Sequence, residues 1–166
     1  MGSDFRKTMR FPVLYKLVLP LLLCCLQTFS TLASANDDPL PEYSKAYDPA
    51  RDPFKDGSHA LQFAVQTERR VFIEVGGAWC SYCLNLDRFI AETPLVRDTL
   101  YENFVVLKIN VSEENENKEF LAGLPKSWGY PHIFIADSDG SILHSKDTIQ
   151  LLHEGQYSPE KFVAYL

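Results

Sequence analysis

Hydrophobic and polar positions alternate between helical and strand periodicity from Ser58 onward. The stretch SHALQFAVQTERR (58–70) predicts a helix, whose apolar face would carry Ala60, Leu61, Ala64 and Val65. VFIEV (71–75) is a short run rich in β-branched residues that ends at two glycines, which is typical of a strand. The domain therefore begins, on this pattern, with a helix followed by a strand.

The next segment predicts two helices and a buried strand. Cys83, Leu86 and Ile90 recur at helical spacing, and Thr93-Pro94 supplies an N-cap and a first-turn proline for a second helix. FVVLKINV (104–111) is apolar on both faces in its first half, as expected of a parallel strand that is covered on both sides.

The last third of the chain predicts a hairpin and a closing helix. HIFIAD (132–137) and SILHS (141–145) flank a turn whose glycine supplies a positive φ, and Ser158-Pro159-Glu160 starts a helix. EENENKEF (113–120), which precedes the hairpin, is interpreted as a solvated surface. The order α, β, α, α, β, loop, β, β, α predicts an α/β fold of three layers, with a central mixed sheet and helices on both faces.

The first 35 residues have the pattern of a cleaved export signal. Four basic residues precede the apolar run LVLPLLLCCL (17–26), and Ala33-Ser34-Ala35 offers a small-residue cleavage site. The apolar run is about half of the roughly 20 residues that a membrane-spanning helix needs, and Pro20 interrupts it. An uncleaved anchor and a lipid anchor at Cys24 or Cys25 are the less favoured alternatives.

Three segments follow from this pattern: an export signal at 1–35, an extended lead-in at 36–57 and one domain at 58–166. The lead-in is rich in proline and has no sustained periodicity, although its aromatic residues can dock on the domain. The signal holds 4 of the 16 basic and 1 of the 22 acidic residues, so the exported chain carries a net charge of about −9. This charge argues against a nucleic-acid partner.

The stretch GGAWCSYC (76–83) contains a C-x-x-C motif, a spacing used in structural, metal-binding and redox pairs. The loop between Cys80 and Cys83 is too short to constrain the unfolded chain much, which weakens a structural role. Cys80 falls at the first turn of a helix, where unpaired N–H groups and the helix dipole favour a thiolate. Cys83 lies one turn deeper on the same face, which indicates a redox couple.

On these residues the chain resembles the thioredoxin family over roughly residues 58–166. The family places a tryptophan before C-x-x-C at a strand-to-helix junction and a proline at the start of a later strand, here Trp79, Cys80, Cys83 and Pro131. The resemblance implies that Pro131 is cis and faces the cysteines. It also implies that Trp79, Tyr130 and Pro131 contact the substrate.

The resemblance extends to a buried acid and its lysine partner, which correspond to Glu74 and Lys108. In the family this acid is thought to accept the proton of the inner cysteine. The chain departs from the usual pattern because the acid is Glu rather than Asp, the dipeptide is Ser-Tyr rather than Gly-Pro, and the first strand is not evident. These departures leave the redox potential open. The chain is most similar to an exported bacterial branch, related to the soluble reductant domains of membrane electron-transfer proteins.

The sequence thus predicts a periplasmic or otherwise extracytoplasmic thiol:disulfide oxidoreductase that reduces or isomerises protein disulfides. Its partners would be protein disulfide substrates and a membrane thiol electron donor, and it would need no cofactor and no metal. Two other functions use the same residues. One is a Cu(I) chaperone in which Cys80 and Cys83 hold the ion, with or without His132 as a third ligand, and the other is a non-catalytic interaction domain.

Simpler interpretations of the single residues also exist. Trp79 would be a packing residue, Glu74 and Lys108 solvent-facing strand residues, and Pro131 an ordinary trans proline of a turn. These interpretations differ from the redox interpretation in the burial and backbone geometry that they require.

Overall fold

The computed structural model of the protein describes residues 42–166. The predicted export signal at 1–35 and residues 36–41 of the predicted lead-in lie outside the described residues. The secondary structure runs in the order α1 (Pro53–Gln66), β1 (Arg70–Gly76), α2 (Ser81–Glu92), α3 (Pro94–Asn103), β2 (Phe104–Asn110), α4 (Lys118–Ala122), β3 (His132–Ala136), β4 (Ile142–Asp147), a 3-10 turn (Thr148–Leu151), β5 (Leu152–His153), β6 (Gln156–Tyr157) and α5 (Pro159–Tyr165).

Helix α1 begins at Pro53 and not at Ser58, so the last residues of the predicted lead-in are helical. Asp52 is the N-cap, its side chain accepts hydrogen bonds from the backbone N–H groups of Phe54 and Lys55, and a proline occupies the first turn. These capping signals extend the helix beyond its apolar stripe. The stripe itself is narrower than predicted, because Val65 is 60% exposed.

The main sheet has four strands in the order β2-β1-β3-β4. β1 and β2 are parallel, whereas β3 is antiparallel to both β1 and β4, so the sheet is mixed as predicted. The turn between β3 and β4 ends at Gly140, whose φ of 88° is the positive value expected there. In β1 and β2 the register pairs Glu74 with Lys108, which sets both residues side by side.

Hydrophobic clusters lie on both faces of the sheet and give the predicted three layers. On one face Phe72 and Val106 pack with Leu86 and Ile90 of α2 and with Phe162 of α5. The other face is covered mainly by α1. The buried cluster between this helix and the sheet consists of Ala60, Ala64, Val71, Ile73, Val75, Val105, Leu107, Ile109, Phe134 and Ala136. Glu74 alternates with Val75 along β1 and therefore points to the α2 face.

Two features were not predicted from the sequence. A two-stranded hairpin, β5–β6, lies between the 3-10 turn and α5, and its strands are too short to show periodicity. The segment before α1 runs along the outer edge of β2, where the backbone N–H of Lys108 donates to the carbonyl of Ser44 over 3.0 Å. Within residues 42–166, none of the helices has the length and apolar character needed to cross a membrane.

Candidate functional site

Cys80 is the N-cap residue of α2, at the junction that follows β1. Its backbone N–H donates to the carbonyl of Gly77, which closes the connecting turn. The Cys80 Sγ accepts a hydrogen bond from the backbone N–H of Cys83 at 3.2 Å, and the thiol donates to the carbonyl of Tyr130 at 3.7 Å. The Cys80 sulfur thus lies at a helix N-terminus, next to a backbone N–H donor and a carbonyl acceptor.

Cys83 lies inside the first turn of α2 and is completely buried. Burial raises the pKa of the Cys83 thiol to about 12 and is the largest cause, followed by the hydrogen bond with Cys80. A hydrogen bond with the backbone of Gly77 has the opposite, smaller effect on this pKa. Both thiols are free in this structure. The two cysteines are therefore neighbours with opposite environments, one at a helix terminus and one in the core.

Gly76, the last residue of β1, allows Cys83 to approach the sheet closely. A Cβ atom built on Gly76 would lie 2.5 Å from the Sγ of Cys83 and 2.9 Å from the hydroxyl of Tyr47. Any side chain at this position would have to displace one of these two groups. Sequence reasoning treated this glycine only as the end of a strand, and its position beside the two side chains was visible only in the structure.

Glu74 is completely buried on the α2 side of the sheet, and the Lys108 side chain is nearly so. The Nζ of Lys108 lies 3.5 Å from Oε2 of Glu74 and also forms an ion pair with Asp87 of α2. The interpretation of Glu74 and Lys108 as solvent-facing strand residues is therefore wrong. Asp87 was missed because a single acidic residue on a helix gives no signal in the sequence.

The carboxyl of Glu74 has an unusual environment for an acid. Burial raises its pKa to about 7, against the opposing effect of the Lys108 ammonium, while the nearby Asp87 raises it further. Tyr47 donates a hydrogen bond to Oε1 of Glu74 at 2.5 Å. An acid with a pKa near neutrality exchanges protons readily at physiological pH, which is the property required of a general base.

The surface around Cys80 is aromatic. Trp79 is 62% exposed, and its indole N–H donates to the carbonyl of Val111 at 2.6 Å. Its ring meets the ring of Tyr130 edge to face at 6.2 Å. Trp79 is thus held in place at the surface and is not a core packing residue. The Tyr130–Pro131 peptide bond is cis, as predicted, and so Pro131 is not the trans proline of an ordinary turn.

His132 is not brought into a metal site with the cysteines. Its Nε2 is 2.8 Å from the hydroxyl of Ser145, and its ring packs against Phe134 on the sheet face away from α2. In the part of the chain that the structure describes, no group of three or more His, Cys, Asp or Glu residues is arranged to hold a metal ion. His132 therefore does not join the two cysteines as a third ligand, and the copper alternative would rest on Cys80 and Cys83 alone.

The structure thus brings together most of the residues that the sequence predicted. Glu74, Lys108 and Cys83 lie beneath the surface, while Cys80 is 4% exposed and lies next to the exposed ring of Trp79 and the carbonyl of Tyr130. Tyr47 and Gly76 complete the buried part and were not predicted as site residues. A thiol at a helix N-terminus above a buried acid is an arrangement suited to thiol chemistry.

Comparison with known families agrees with this geometry. The model of a thioredoxin-like family matches residues 52–138, more than half of the chain. The chain belongs to the thioredoxin-like family.

Solved structures share the fold. A disulphide isomerase from Xylella fastidiosa Temecula1 is 23% identical, with a TM-score of 0.61 over 72% of this chain and 92% of that one. The C-terminal domain of DsbD from Neisseria meningitidis, in its oxidised form, is 19% identical, with a TM-score of 0.50 over 72% and 95% of the two chains. No curated protein matches the chain. At these identities the similarity concerns the fold.

Proposed function

We propose that the protein is a thiol:disulfide oxidoreductase in which Cys80 attacks substrate disulfides and Cys83 resolves the intermediate. The observation that carries this proposal is the pairing of the two thiols. The Cys80 Sγ sits at the N-cap of α2 and accepts the N–H of Cys83, whose own thiol is buried one turn below. Membership of the thioredoxin-like family supports the proposal.

The reaction consists of two thiol–disulfide exchanges. The thiolate of Cys80 attacks one sulfur of a substrate disulfide, a Cys80–substrate disulfide forms, and the other substrate sulfur leaves as a thiolate. The thiolate of Cys83 then attacks the Cys80 sulfur, which forms the Cys80–Cys83 disulfide and releases the second substrate thiolate. Two electrons pass from the enzyme dithiol to the substrate disulfide, and no metal or organic cofactor is needed.

The resolving step requires the loss of the Cys83 proton. Because burial raises the pKa of Cys83 to about 12, this thiol is almost entirely protonated at neutral pH. Glu74 is the buried base that would accept this proton, with Lys108 balancing its charge. Because the pKa of Glu74 is about 7, the acid is mostly ionised, and therefore able to act, above that pH.

We assign the aromatic surface around Cys80 to substrate binding. Trp79 and Tyr130 offer apolar rings beside the reactive sulfur, and the carbonyl of Tyr130 points at that sulfur. An extended protein segment carrying a disulfide would lie across these rings, next to Pro131. The exposed aromatic surface beside Cys80 would fit the apolar side chains of a protein segment, which favours protein disulfides as substrates.

The protein acts outside the cytoplasm in this proposal, most simply in the periplasm, and a membrane thiol protein re-reduces it. The argument rests on the export signal predicted at residues 1–35 and on the redox chemistry, since protein disulfides persist in oxidising compartments. Intact-mass measurement of the exported protein should give an N-terminus at Asn36. A mature protein that retains residues 17–26 would contradict the cleavage.

Equilibration with glutathione tests the proposed function itself. We expect the Cys80–Cys83 pair to interconvert reversibly between dithiol and disulfide, with the oxidised fraction followed by alkylation and mass spectrometry. No charged residue lies between the two cysteines to stabilise the thiolate, so the potential should be more negative than the roughly −120 mV of a strong oxidant. A pair that stays a dithiol at every glutathione ratio would contradict the proposal and favour a non-catalytic domain.

A further inference from the structure

Tyr47 reaches the buried acid from outside the region that matches the family. The match begins at residue 52, whereas Tyr47 lies in the segment that precedes α1. Its hydroxyl donates to Oε1 of Glu74 at 2.5 Å, and its ring lies over the ammonium of Lys108 at 4.7 Å. Burial raises the pKa of the Tyr47 hydroxyl, so that it stays a neutral donor.

The segment that carries Tyr47 is fastened on both sides of this residue. The carbonyl of Ser44 accepts a hydrogen bond from the backbone N–H of Lys108 at 3.0 Å, and the carbonyl of Pro49 accepts one from Asn115 at 2.9 Å. Arg51 forms an ion pair with the buried Asp56. Tyr47 is therefore inserted by a segment with defined contacts, which gives its hydroxyl a fixed position.

The two carboxylate oxygens of Glu74 have different surroundings. Oε1 is occupied by the Tyr47 hydroxyl, whereas Oε2 is buried, has no hydrogen-bond donor among the described residues and lies 3.5 Å from the Nζ of Lys108. Each oxygen thus has its own partner, the Tyr47 hydroxyl on Oε1 and the Lys108 ammonium at ion-pair distance from Oε2. The carboxyl is therefore held from two sides, and the Tyr47 hydroxyl is the neutral donor among its two partners.

We propose that Tyr47 is a positioning residue for the redox site: its hydroxyl holds Oε1 of Glu74 and so orients the carboxyl that receives the proton of Cys83. This inference rests on the proposed function, because it assigns an orientation to the base of the resolving step. The hydroxyl of Tyr47 and the Sγ of Cys83 lie against the same side of Gly76, 2.9 and 2.5 Å from the position of a Cβ. Tyr47 thus orients the acid next to the thiol that it deprotonates.

The hydrogen bond from Tyr47 favours the ionised form of Glu74, because a carboxylate accepts such a bond more strongly than a carboxylic acid does. Several other groups act on the same carboxyl from the elements packed around it. The titratable and charged groups that face it are Tyr47 of the segment before α1, Cys83 and Asp87 of α2, Lys108 of β2 and Tyr157 of β6. Removal of the Tyr47 hydroxyl changes only one of the interactions that set the pKa of Glu74.

The test is Tyr47→Phe, which keeps the ring over Lys108 and removes the donor. In the full-length reduced protein with Cys24 and Cys25 replaced by Ser, the aromatic disulfide DTNB releases one coloured thiolate on attack by Cys80 and a second on resolution by Cys83. We expect the pH midpoint of the second release to move upward by about one unit, since the carboxylate loses one hydrogen bond. The first release should be unchanged.

Tyr43→Phe is the matched control, because Tyr43 lies in the same segment and packs edge-on against Phe63 at 5.6 Å. It should leave both releases as in the native protein. In a Glu74→Gln background, Tyr47→Phe should have no further effect on the second release. A merely structural role would slow both releases in every background, and this result would overturn the inference.

A second measurement does not depend on activity. The carboxyl carbon of Glu74, followed by 13C NMR in the native protein and in Tyr47→Phe, reports the titration of the acid directly. We expect the midpoint to rise by about one unit in the variant. Equal midpoints would overturn the role of Tyr47. If the native protein released no second thiolate, the proposed function would fail, while the NMR comparison would still decide whether Tyr47 sets the ionisation of Glu74.

Discussion

Replacing Glu74 by Gln should slow the resolving step about 100-fold at pH 8 and leave the first attack on a disulfide unchanged. A positioned general base typically contributes about 100-fold or more to a proton-transfer step. Glu74 is completely buried beside the two cysteines, and the thiol that must lose its proton has a pKa of about 12. Glutamine keeps the shape of the side chain but cannot accept the proton.

The rate of the resolving step should also depend on pH in a direction that the pKa of Glu74 sets. In the native protein the resolving step should slow as the pH falls below about 7, because burial raises the pKa of Glu74 and the protonated acid is no longer a base. In Glu74→Gln this inflection should vanish. The rate that remains in this variant should rise about tenfold per pH unit. The Cys83 thiol then loses its proton directly to the solvent, and the fraction of thiolate grows tenfold per unit below the pKa.

Stopped-flow reaction with DTNB separates the two steps when Cys24 and Cys25 are replaced by Ser, since each step then releases one coloured thiolate. Glu92→Gln provides a matched control, because it makes the same change at the exposed end of α2. It should preserve both rates. A second release that keeps its native rate and its inflection in Glu74→Gln would show that another group takes the Cys83 proton.

The architecture of the domain could be predicted from the sequence because its strongest signals are local. Strand β1 ends at the two glycines, Thr93-Pro94 marks the start of α3, and the Asp-Ser-Asp-Gly turn joins β3 to β4. These signals depend on residues close together in the chain. The start of α1 was predicted too late because the N-cap at Asp52 precedes the apolar stripe, and the pattern of the stripe was given more weight.

The site could be predicted only where a motif or the family resemblance carried it. Cys80 and Cys83 are recognisable from their spacing, whereas Glu74 and Lys108 were predicted only from the resemblance to the thioredoxin family. The parallel register of β1 and β2 in the structure explains why they are partners. Tyr47 has no such signal. It lies in a proline-rich segment without periodicity, and its contact with Glu74 joins residues 27 positions apart.

Long-range packing explains the other differences between prediction and structure. His132 follows Pro131 directly in the sequence and was therefore considered as a ligand beside the cysteines. Side chains alternate along a strand, however, and His132 points to the face of Phe134 while Ile133 packs on the α2 face. His132 is next to Pro131 in the chain, but its side chain lies on the opposite face of the sheet from the cysteines, because neighbouring residues of a strand point in opposite directions.

Replacement of each cysteine in turn should have the largest effect of all. With Cys83→Ser, the attack of Cys80 on a disulfide stays possible but the intermediate cannot resolve, so a mixed disulfide accumulates. With Cys80→Ser, no mixed disulfide should form on the domain, because Cys83 is completely buried and burial raises the pKa of its thiol to about 12. The structural reason is the position of Cys80 at the N-cap of α2.

The most direct measurement of this assignment is intact-mass spectrometry of the full-length variants after incubation with oxidised glutathione, with the adduct located by peptide mapping. The account predicts one glutathione on Cys80 in Cys83→Ser, none on Cys83 in Cys80→Ser, and an internal Cys80–Cys83 disulfide in the native protein. Adducts to the same extent on Cys80 in Cys83→Ser and on Cys83 in Cys80→Ser, or on neither, would contradict it. The second of these results would favour metal binding by the two thiols over disulfide exchange.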